Sequence, residues 1–208
     1  MKIASDAWMF FIPVAGIAVG FFLGRMPVMG SAALIMAAFI LFFFRDPERV
    51  IPAEPNAVVS PADGLLHKID TDWFDPETGE KRTRVSIFLS VFNVHVNRFP
   101  VSGKIIKREA REGKFLAAFN HLASEDNAQV VLVIDSPYGR VGVKQIVGLI
   151  ARRIVCHARL GQDAVKGERY GLMRFGSRMD VTVPSSAEIK VKVGDKVQAG
   201  STILALLR

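Results

Sequence analysis

Serine, histidine and aspartate together can run acyl chemistry. A serine hydroxyl attacks a carbonyl once a base takes its proton, an imidazole is such a base near neutral pH, and a carboxylate can hold the imidazole in the required tautomer. The chain offers these groups in three places: Ser177 in Arg174-Phe175-Gly176-Ser177-Arg178-Met179-Asp180, His95 in Val94-His95-Val96, and Asp63 in Ser60-Pro61-Ala62-Asp63-Gly64. Taken singly, each has an ordinary reading. Gly-Ser pairs arise by chance, a histidine on an apolar strand is more often structural than catalytic, and aspartate before glycine is a frequent turn pair. Whether the three act together depends on the elements that carry them.

The chain has 208 residues, a formal charge of +7 and 50% hydrophobic content. The apolar content is concentrated at the start. Residues 8–24 and 28–44 carry no charge, and Arg25, Met26 and Pro27 separate them. Each run, about 17 residues or ~25 Å as a helix, lies at the lower limit for crossing a bilayer. A membrane-associating hydrophobic helical hairpin is therefore expected over residues 1–44, either crossing the bilayer or embedded mostly in one leaflet. A cleaved signal peptide would show one apolar stretch and then polar mature sequence, whereas here a second apolar run follows at once. Lys2, Arg45 and Arg49 flank the hairpin's open end, against Arg25 in its loop, which places both termini on the cytoplasmic face of the cell membrane.

Most of the positive excess falls after residue 44 and suits an anionic membrane surface. No aromatic-interleaved basic cluster or motif argues for nucleic acid as a partner. Cys156 is the single cysteine, which excludes an intrachain disulfide and a cysteine-rich metal site; no metal is expected.

Residues 45–208 make one domain of ordinary size. Short β-branched runs separated by Gly, Pro, Asn and Asp predict strands near 58–60, 64–70, 85–91, 101–108, 130–135, 141–147, 154–158, 172–175, 179–183, 188–191 and 202–206. Phe115, Phe119 and Leu122 give 114–124 helical spacing, fitting a short helix or an ordered loop. The alternating passage 187–204, with Gly194 and Gly200 at its turns, resembles half of a biotinyl/lipoyl-type barrel, and Val59-Ser60-Pro61-Ala62-Asp63-Gly64 resembles the opening strand and turn of the same barrel. The expected fold is mainly β, a β-barrel sandwich closed by strands from both ends of the domain. The lysine that would carry biotin or lipoate in its usual turn is missing, so a swinging-arm carrier is disfavoured.

Three further stretches accompany Gly176-Ser177 and the Asp63 segment. They are Phe92-Asn93-Val94-His95-Val96-Asn97-Arg98-Phe99-Pro100-Val101-Ser102-Gly103, Gln145-Ile146-Val147-Gly148-Leu149-Ile150-Ala151-Arg152-Arg153-Ile154-Val155, and Gly167-Glu168-Arg169-Tyr170-Gly171. In this order, and from about residue 45 to the C-terminus, the set resembles phosphatidylserine decarboxylase, in particular its short bacterial and archaeal form. The resemblance implies a precursor that cuts itself between Gly176 and Ser177 into a large chain, 1–176, and a small chain, 177–208. The two remain a heterodimer, with a higher oligomer left open. Ser177 becomes a covalent pyruvoyl group, one per chain pair, which forms a Schiff base with phosphatidylserine and yields phosphatidylethanolamine and CO2 in phospholipid biosynthesis. Gly176 suits the cut because glycine tolerates a strained backbone. Ser177, His95 and Asp63 are then the catalytic set, with His95 as base and Asp63 orienting it.

One feature departs from the family pattern. Longer members carry His-x-x-His before a proline, and here the second position is Arg98. His95 is then the candidate for the cleavage base, for the decarboxylation acid, or for both in turn. Arg152, Arg153 and Arg178 are weaker candidates to meet a phosphate or carboxylate, Glu168 and Lys144 have no assignable role, and His67, His121 and His157 have no supporting pattern. Two other readings remain: a decarboxylase of another serine-headgroup lipid such as archaetidylserine, and a non-catalytic membrane-tethered β-barrel binding module.

Overall fold

The computed structural model describes residues 2–116, 123–149 and 153–208, in two compact units, Met1–Glu48 and Arg49–Arg208. In the first unit, β1 (Lys2–Ile3) pairs antiparallel with β2 (Arg45–Asp46), and between them run α1 (Trp8–Leu23) and α2 (Pro27–Phe43). The turn between the helices has a clear physical cause. Arg25 takes the left-handed conformation, φ 58°, while its N–H bonds Phe22 O at 3.1 Å and the Met26 N–H bonds Phe21 O at 2.9 Å. These two bonds satisfy carbonyls that α1 would otherwise leave open, and Pro27 then starts α2 at a position that needs no N–H. A Cβ on Gly30 would lie 3.0 Å from the Phe22 ring, so the glycine allows the two helices to approach. Large apolar side chains including Leu23, Val28 and Ile35 remain exposed, more than a water-facing hairpin would carry. The stretch Ser5–Leu23 is long and apolar enough to cross a membrane, and α2 is a shorter apolar helix.

The second unit is mainly β. Its elements are β3 (Ala57–Val59), β4 (Gly64–Asp75), β5 (Glu80–Leu89), β6 (Val96–Arg98), β7 (Gly103–Arg111), α3 (Ala123–Asp126), β8 (Gln129–Ser136) and β9 (Gly139–Ile146), followed by β10 (Ile154–Cys156), β11 (Asp163–Ala164), β12 (Arg169–Met173), β13 (Ser177–Pro184), β14 (Glu188–Ile189), β15 (Lys196–Val197) and β16 (Ile203–Leu206). Among the described residues an eight-stranded sheet runs β11-β7-β8-β9-β13-β5-β4-β15, and two three-stranded sheets run β10-β12-β6 and β14-β16-β3. The expected closure by strands from both ends is present: β15 pairs with β4, and β16 with β3. The helix expected over 114–124 falls largely outside the described residues. Of its described part, Lys114 bridges Asn127, and Ala123 and Ser124 open α3.

Alternation along the central strands sorts the side chains onto two faces. Met179, Val181 and Val183 of β13, with Val85, Ile87 and Leu89 of β5, turn into one apolar core. The opposite face is also buried but polar. There Arg178 Nε donates to Asp180 Oδ1 at 2.7 Å, and Thr182 Oγ1 donates to Asp75 Oδ2 at 3.0 Å. Glu77, beyond the end of β4, is 1% exposed and takes Lys144 at 3.0 Å, Lys107 at 2.8 Å and Arg111 at 2.7 Å.

Burial alone would raise the Glu77 carboxyl, but hydrogen bonds from Arg111, Lys107 and Lys144 outweigh it and hold its pKa at about 2. The folded value lies below the ordinary 4.5, so the stabilisation is complete above that pH and drains away as pH falls toward 2. Thermal melts across this window should show a stability loss that Glu77→Gln flattens; an unchanged acid limb in the variant would remove Glu77 from the acid response.

Candidate active site

Six adjacent strands bring one set of ends together. Arg111, the last residue of β7, lies opposite Gln129, the first of β8, and Gln129 lies opposite Ile146, the last of β9. Ile146 faces Arg178, Ser177 faces Leu89, the last of β5, and Phe88 faces Leu65 at the start of β4. Asp63, the segment after Leu89, the segment after Ile146 and the corner 174–176 therefore all leave the sheet at the same end.

The corner joins two sheets. Before it, the Met173 N–H donates to His95 O at 3.2 Å, and β12 pairs with β6. After it, Ser177 opens β13, which is paired on both sides, with β5 and with β9. Three residues must make the crossing, and the strain falls on the middle one. Phe175 has φ 65°, a left-handed conformation costing a bulky residue about 1–3 kcal/mol. The sequence placed the strained backbone at Gly176. Gly176 instead lies outside the left-handed region, and a Cβ there would meet Leu89 O at an ordinary 3.8 Å. The reason is the register: with Met173 and Ser177 each fixed by a neighbouring strand, the reversal has to occur between them.

Ser177 shares the inward face with Met179 and Val181, is 0% exposed, and its Oγ has no hydrogen-bond partner among the described residues. His95 is also fully buried, and its carbonyl ties it to the near end of the same corner. The corner thus carries both residues, one at each end. Asp63 is part-buried just before β4. Its Oδ2 accepts from Arg49 Nη2 at 2.7 Å and its Oδ1 from the Ala199 N–H at 2.8 Å. β5 lies between the strands that Asp63 and Ser177 precede and open, so their backbones stand about 10 Å apart by strand spacing. At that separation the carboxylate does not touch the serine directly.

The sequence missed two residues here, Asn97 and Gln145. Gln145 faces Met179 across β9 and β13, which makes Ser177 its diagonal neighbour on the inward face. Gln145 Nε2 donates to Asn97 Oδ1 at 2.9 Å, linking the large sheet to β6. Both residues are 0% exposed, and Asn97 Nδ2 and Gln145 Oε1 have no partner among the described residues. Gly171, paired with Asn97, leaves the space: a Cβ there would collide with the Val155 carbonyl oxygen and stand 3.2 Å from Gln145 Nε2. The available signal was parity, since Gln145 continues the inward series Val141, Val143 with a polar side chain.

The arginine candidates resolve differently. Arg178 lies on the face opposite Ser177, buried, with its guanidinium on Asp180 and, through Nη2, on Ser86 Oγ at 2.8 Å. The carboxylate it meets in the structure is the protein's own Asp180. Arg98, where longer relatives carry histidine, is buried and donates to Gly167 O at 2.9 Å. Lys144 is held by Glu77, Glu168 and Arg153 are exposed, and Arg152 and His121 lie outside the described residues. Exposed Phe92, Leu149 and the partly exposed Phe175 stand on the three segments around the corner.

Comparison with known proteins shows the family. The family model described as phosphatidylserine decarboxylase matches residues 36–205. The chain is 47% identical over 187 residues to the phosphatidylserine decarboxylase proenzyme of Geobacter metallireducens, covering 88% of this chain and 85% of that protein. It is 44% identical over 199 residues to the protein of the same name from Geotalea uraniireducens, with 95% and 93% covered, and 45% identical over 184 residues to that of Chlorobium phaeobacteroides, with 87% and 84% covered.

The two glycines at the site should behave oppositely. In a Ser177→Ala background, Gly171→Ala should lose about 1–3 kcal/mol in denaturant unfolding because the added methyl meets backbone. Gly176→Ala should stay within about 0.5 kcal/mol of its parent.

Proposed function

Because the chain belongs to the phosphatidylserine decarboxylase family, we propose that it is a precursor that cuts itself between Gly176 and Ser177, and that the cut enzyme decarboxylates phosphatidylserine to phosphatidylethanolamine. The observation that carries the reading is the buried Ser177 hydroxyl, without a hydrogen-bond partner among the described residues, next to Gly176 and two residues beyond the left-handed Phe175.

The cut needs little beyond these groups. Ser177 Oγ attacks the Gly176 carbonyl carbon while His95 takes the hydroxyl proton, and the peptide becomes an ester with a free Ser177 amine. Loss of the Ser177 α-proton then breaks the ester bond, releasing Gly176 as a carboxylate and leaving a dehydroalanine. Water converts that residue to a pyruvoyl group and ammonia. Burial of Ser177 in the apolar core keeps bulk water from competing before the ester forms. Asp63, fixed by Arg49 and the Ala199 amide, is the group that orients His95 in this reading.

The residues fit the group they would produce. Position 177 would begin the small chain inside the sandwich, and β13 would hold it there between β5 and β9 while β15 and β16 stay paired with β4 and β3. The two chains therefore need no covalent link to remain together. A pyruvoyl group supplies a carbonyl that condenses with the headgroup amine and takes up the electron pair released with CO2. His95, at the other end of the corner, returns a proton to the headgroup α-carbon.

A lipid substrate also fits the first unit, whose exposed apolar helices suit a bilayer, and the net charge of +7 suits an anionic, cytoplasmic membrane face. Phe92 and Leu149, exposed beside the corner, would face lipid when substrate enters.

On a denaturing gel the purified protein should run as fragments 1–176 and 177–208, the smaller blocked to N-terminal sequencing. Ser177→Ala should stay whole and inactive, and His95→Ala should slow the cut or the turnover by at least about a hundredfold. A wild-type chain that remains whole while active would overturn the self-cleavage. Deleting residues 1–48 should shift the protein from the pellet to the supernatant in vesicle sedimentation; undiminished pelleting would move the membrane attachment to the second unit.

A further inference from the structure

The Asn97–Gln145 pair is chemically incomplete in a specific way. A fully buried primary amide ordinarily finds partners for its oxygen and its N–H groups, because an orphaned one forfeits its solvation. Here the two amides share one hydrogen bond, 2.9 Å, and among the described residues each leaves its other end open: a donor at Asn97 Nδ2 and an acceptor at Gln145 Oε1. Were both amides turned over, the pair would still present one donor and one acceptor. The shared bond fixes the two ends relative to each other, and β6 and β9 fix the pair relative to Ser177. Gly171, opposite Asn97, lets the Gln145 amide in.

We propose that Asn97 and Gln145 form a clamp for the serine headgroup of the substrate, Asn97 Nδ2 donating to its carboxylate and Gln145 Oε1 accepting from its amine. This rests on the decarboxylase reading and adds the residues that recognise the headgroup. An α-amino acid headgroup presents an acceptor and a donor on two substituents of one carbon, the complement of what the pair leaves open. Position also favours it. As the diagonal neighbour of Ser177, Gln145 starts about 7–8 Å away, a span its side chain and a small headgroup fill together.

The neutrality of the clamp matters to the reaction. Losing CO2 moves negative charge off the carboxylate, so a guanidinium beside it would hold the ground state more tightly than the transition state. An amide orients the carboxylate with one neutral donor and avoids that penalty. Two of the neighbouring guanidiniums have other occupations: Arg178 is on Asp180 across the sheet, and Arg98 donates to Gly167 O.

The test uses the full-length protein in detergent–phosphatidylserine micelles, with Asn97→Leu, Asn97→Asp and Gln145→Met. All three should be cut into two fragments as the wild type is. Asn97→Leu and Gln145→Met should each raise KM about tenfold, the size of one lost hydrogen bond to a charged group. Asn97→Asp should raise it at least about a hundredfold at neutral pH, with partial recovery as the pH is lowered and the introduced carboxyl takes a proton. Melting temperature supplies a reading independent of turnover. A clamp whose ends wait for a ligand loses little when made apolar, so Asn97→Leu/Gln145→Met should melt no lower than wild type. A lower melting temperature with unchanged KM would make the pair a structural tie and overturn the clamp, leaving self-cleavage untouched. Uncut variants beside a cut wild type would assign the pair to the cleavage step and overturn the clamp as well. Failure of the parent reading would show separately, as a wild-type chain that does not cut.

Discussion

The register of β13 is the constraint on which the rest of the second unit depends. Side chains alternate along a strand, so a slip of one residue would drive Arg178 into the apolar core and turn Ser177 toward the polar face. Two neighbours oppose that slip at once, since β13 is paired with β5 over its whole length and with β9 over five residues from Arg178 to Thr182. The polar face adds a second lock. Arg178, Asp180, Ser86 and Ser124 form a closed set, with Ser124 Oγ donating to Asp180 Oδ2 at 2.7 Å and Arg178 reaching both Asp180 and Ser86. Buried charges of this kind add little net stability, but a shifted partner would leave one of them unpaired in a dry interior, which is costly. The pair thus acts less as glue than as a register mark, and what it registers is the inward position of Ser177.

That register in turn dictates the corner. Once Ser177 is held against Leu89 and Met173 against His95, the crossing between sheets has three residues and a fixed span. A left-handed residue is a compact way to reverse direction in so few steps, and it falls at Phe175 rather than at the glycine beside it. Gly176 is then free of that conformation, and a Cβ there would make only an ordinary 3.8 Å contact with Leu89 O.

Much of this was legible before any coordinates. Alternation and turn residues located every long strand, and the paired barrel halves at the two ends foretold the closure of β3 on β16 and β4 on β15. Three short strands escaped, β6, β11 and β15, each two or three residues long and too brief for a period of two to register; β3, β10 and β14 are as short but lie in recognisable β-branched runs. The run beginning at Leu172 was taken through Phe175, whereas pairing stops at Met173, because composition shows a β-branched or aromatic stretch but not the sheet to which it belongs. At the site, motif order picked out Ser177, His95 and Asp63. It gave no hint that Arg178 would spend its charge on Asp180, since an i, i+2 pair on a strand is visible only once the face is known to be buried. Asn97 and Gln145 were within quoted motifs and still went unread. Their amides acquire meaning only when strands distant in sequence bring them to 2.9 Å.

Strain and unmet polarity meet at the corner, and their sum there is large on the scale of a domain's stability. A left-handed Phe175 contributes about 1–3 kcal/mol, and each of Ser177 Oγ, Asn97 Nδ2 and Gln145 Oε1, buried without a hydrogen-bond partner among the described residues, contributes a similar amount. Together they reach several kcal/mol against the ~5–15 kcal/mol that stabilises an ordinary domain. The eight-stranded sheet and its core hold that tension in place while the chain is whole. The proposed cut between Gly176 and Ser177 would change the balance asymmetrically. Phe175 would then belong to a chain end and could leave the left-handed region, releasing its strain, whereas the pairing of β13 on both sides would keep position 177 where it was. The energy stored in the corner would therefore favour such a cut, and the sheet that imposes the strain would also prevent the cut from undoing the fold.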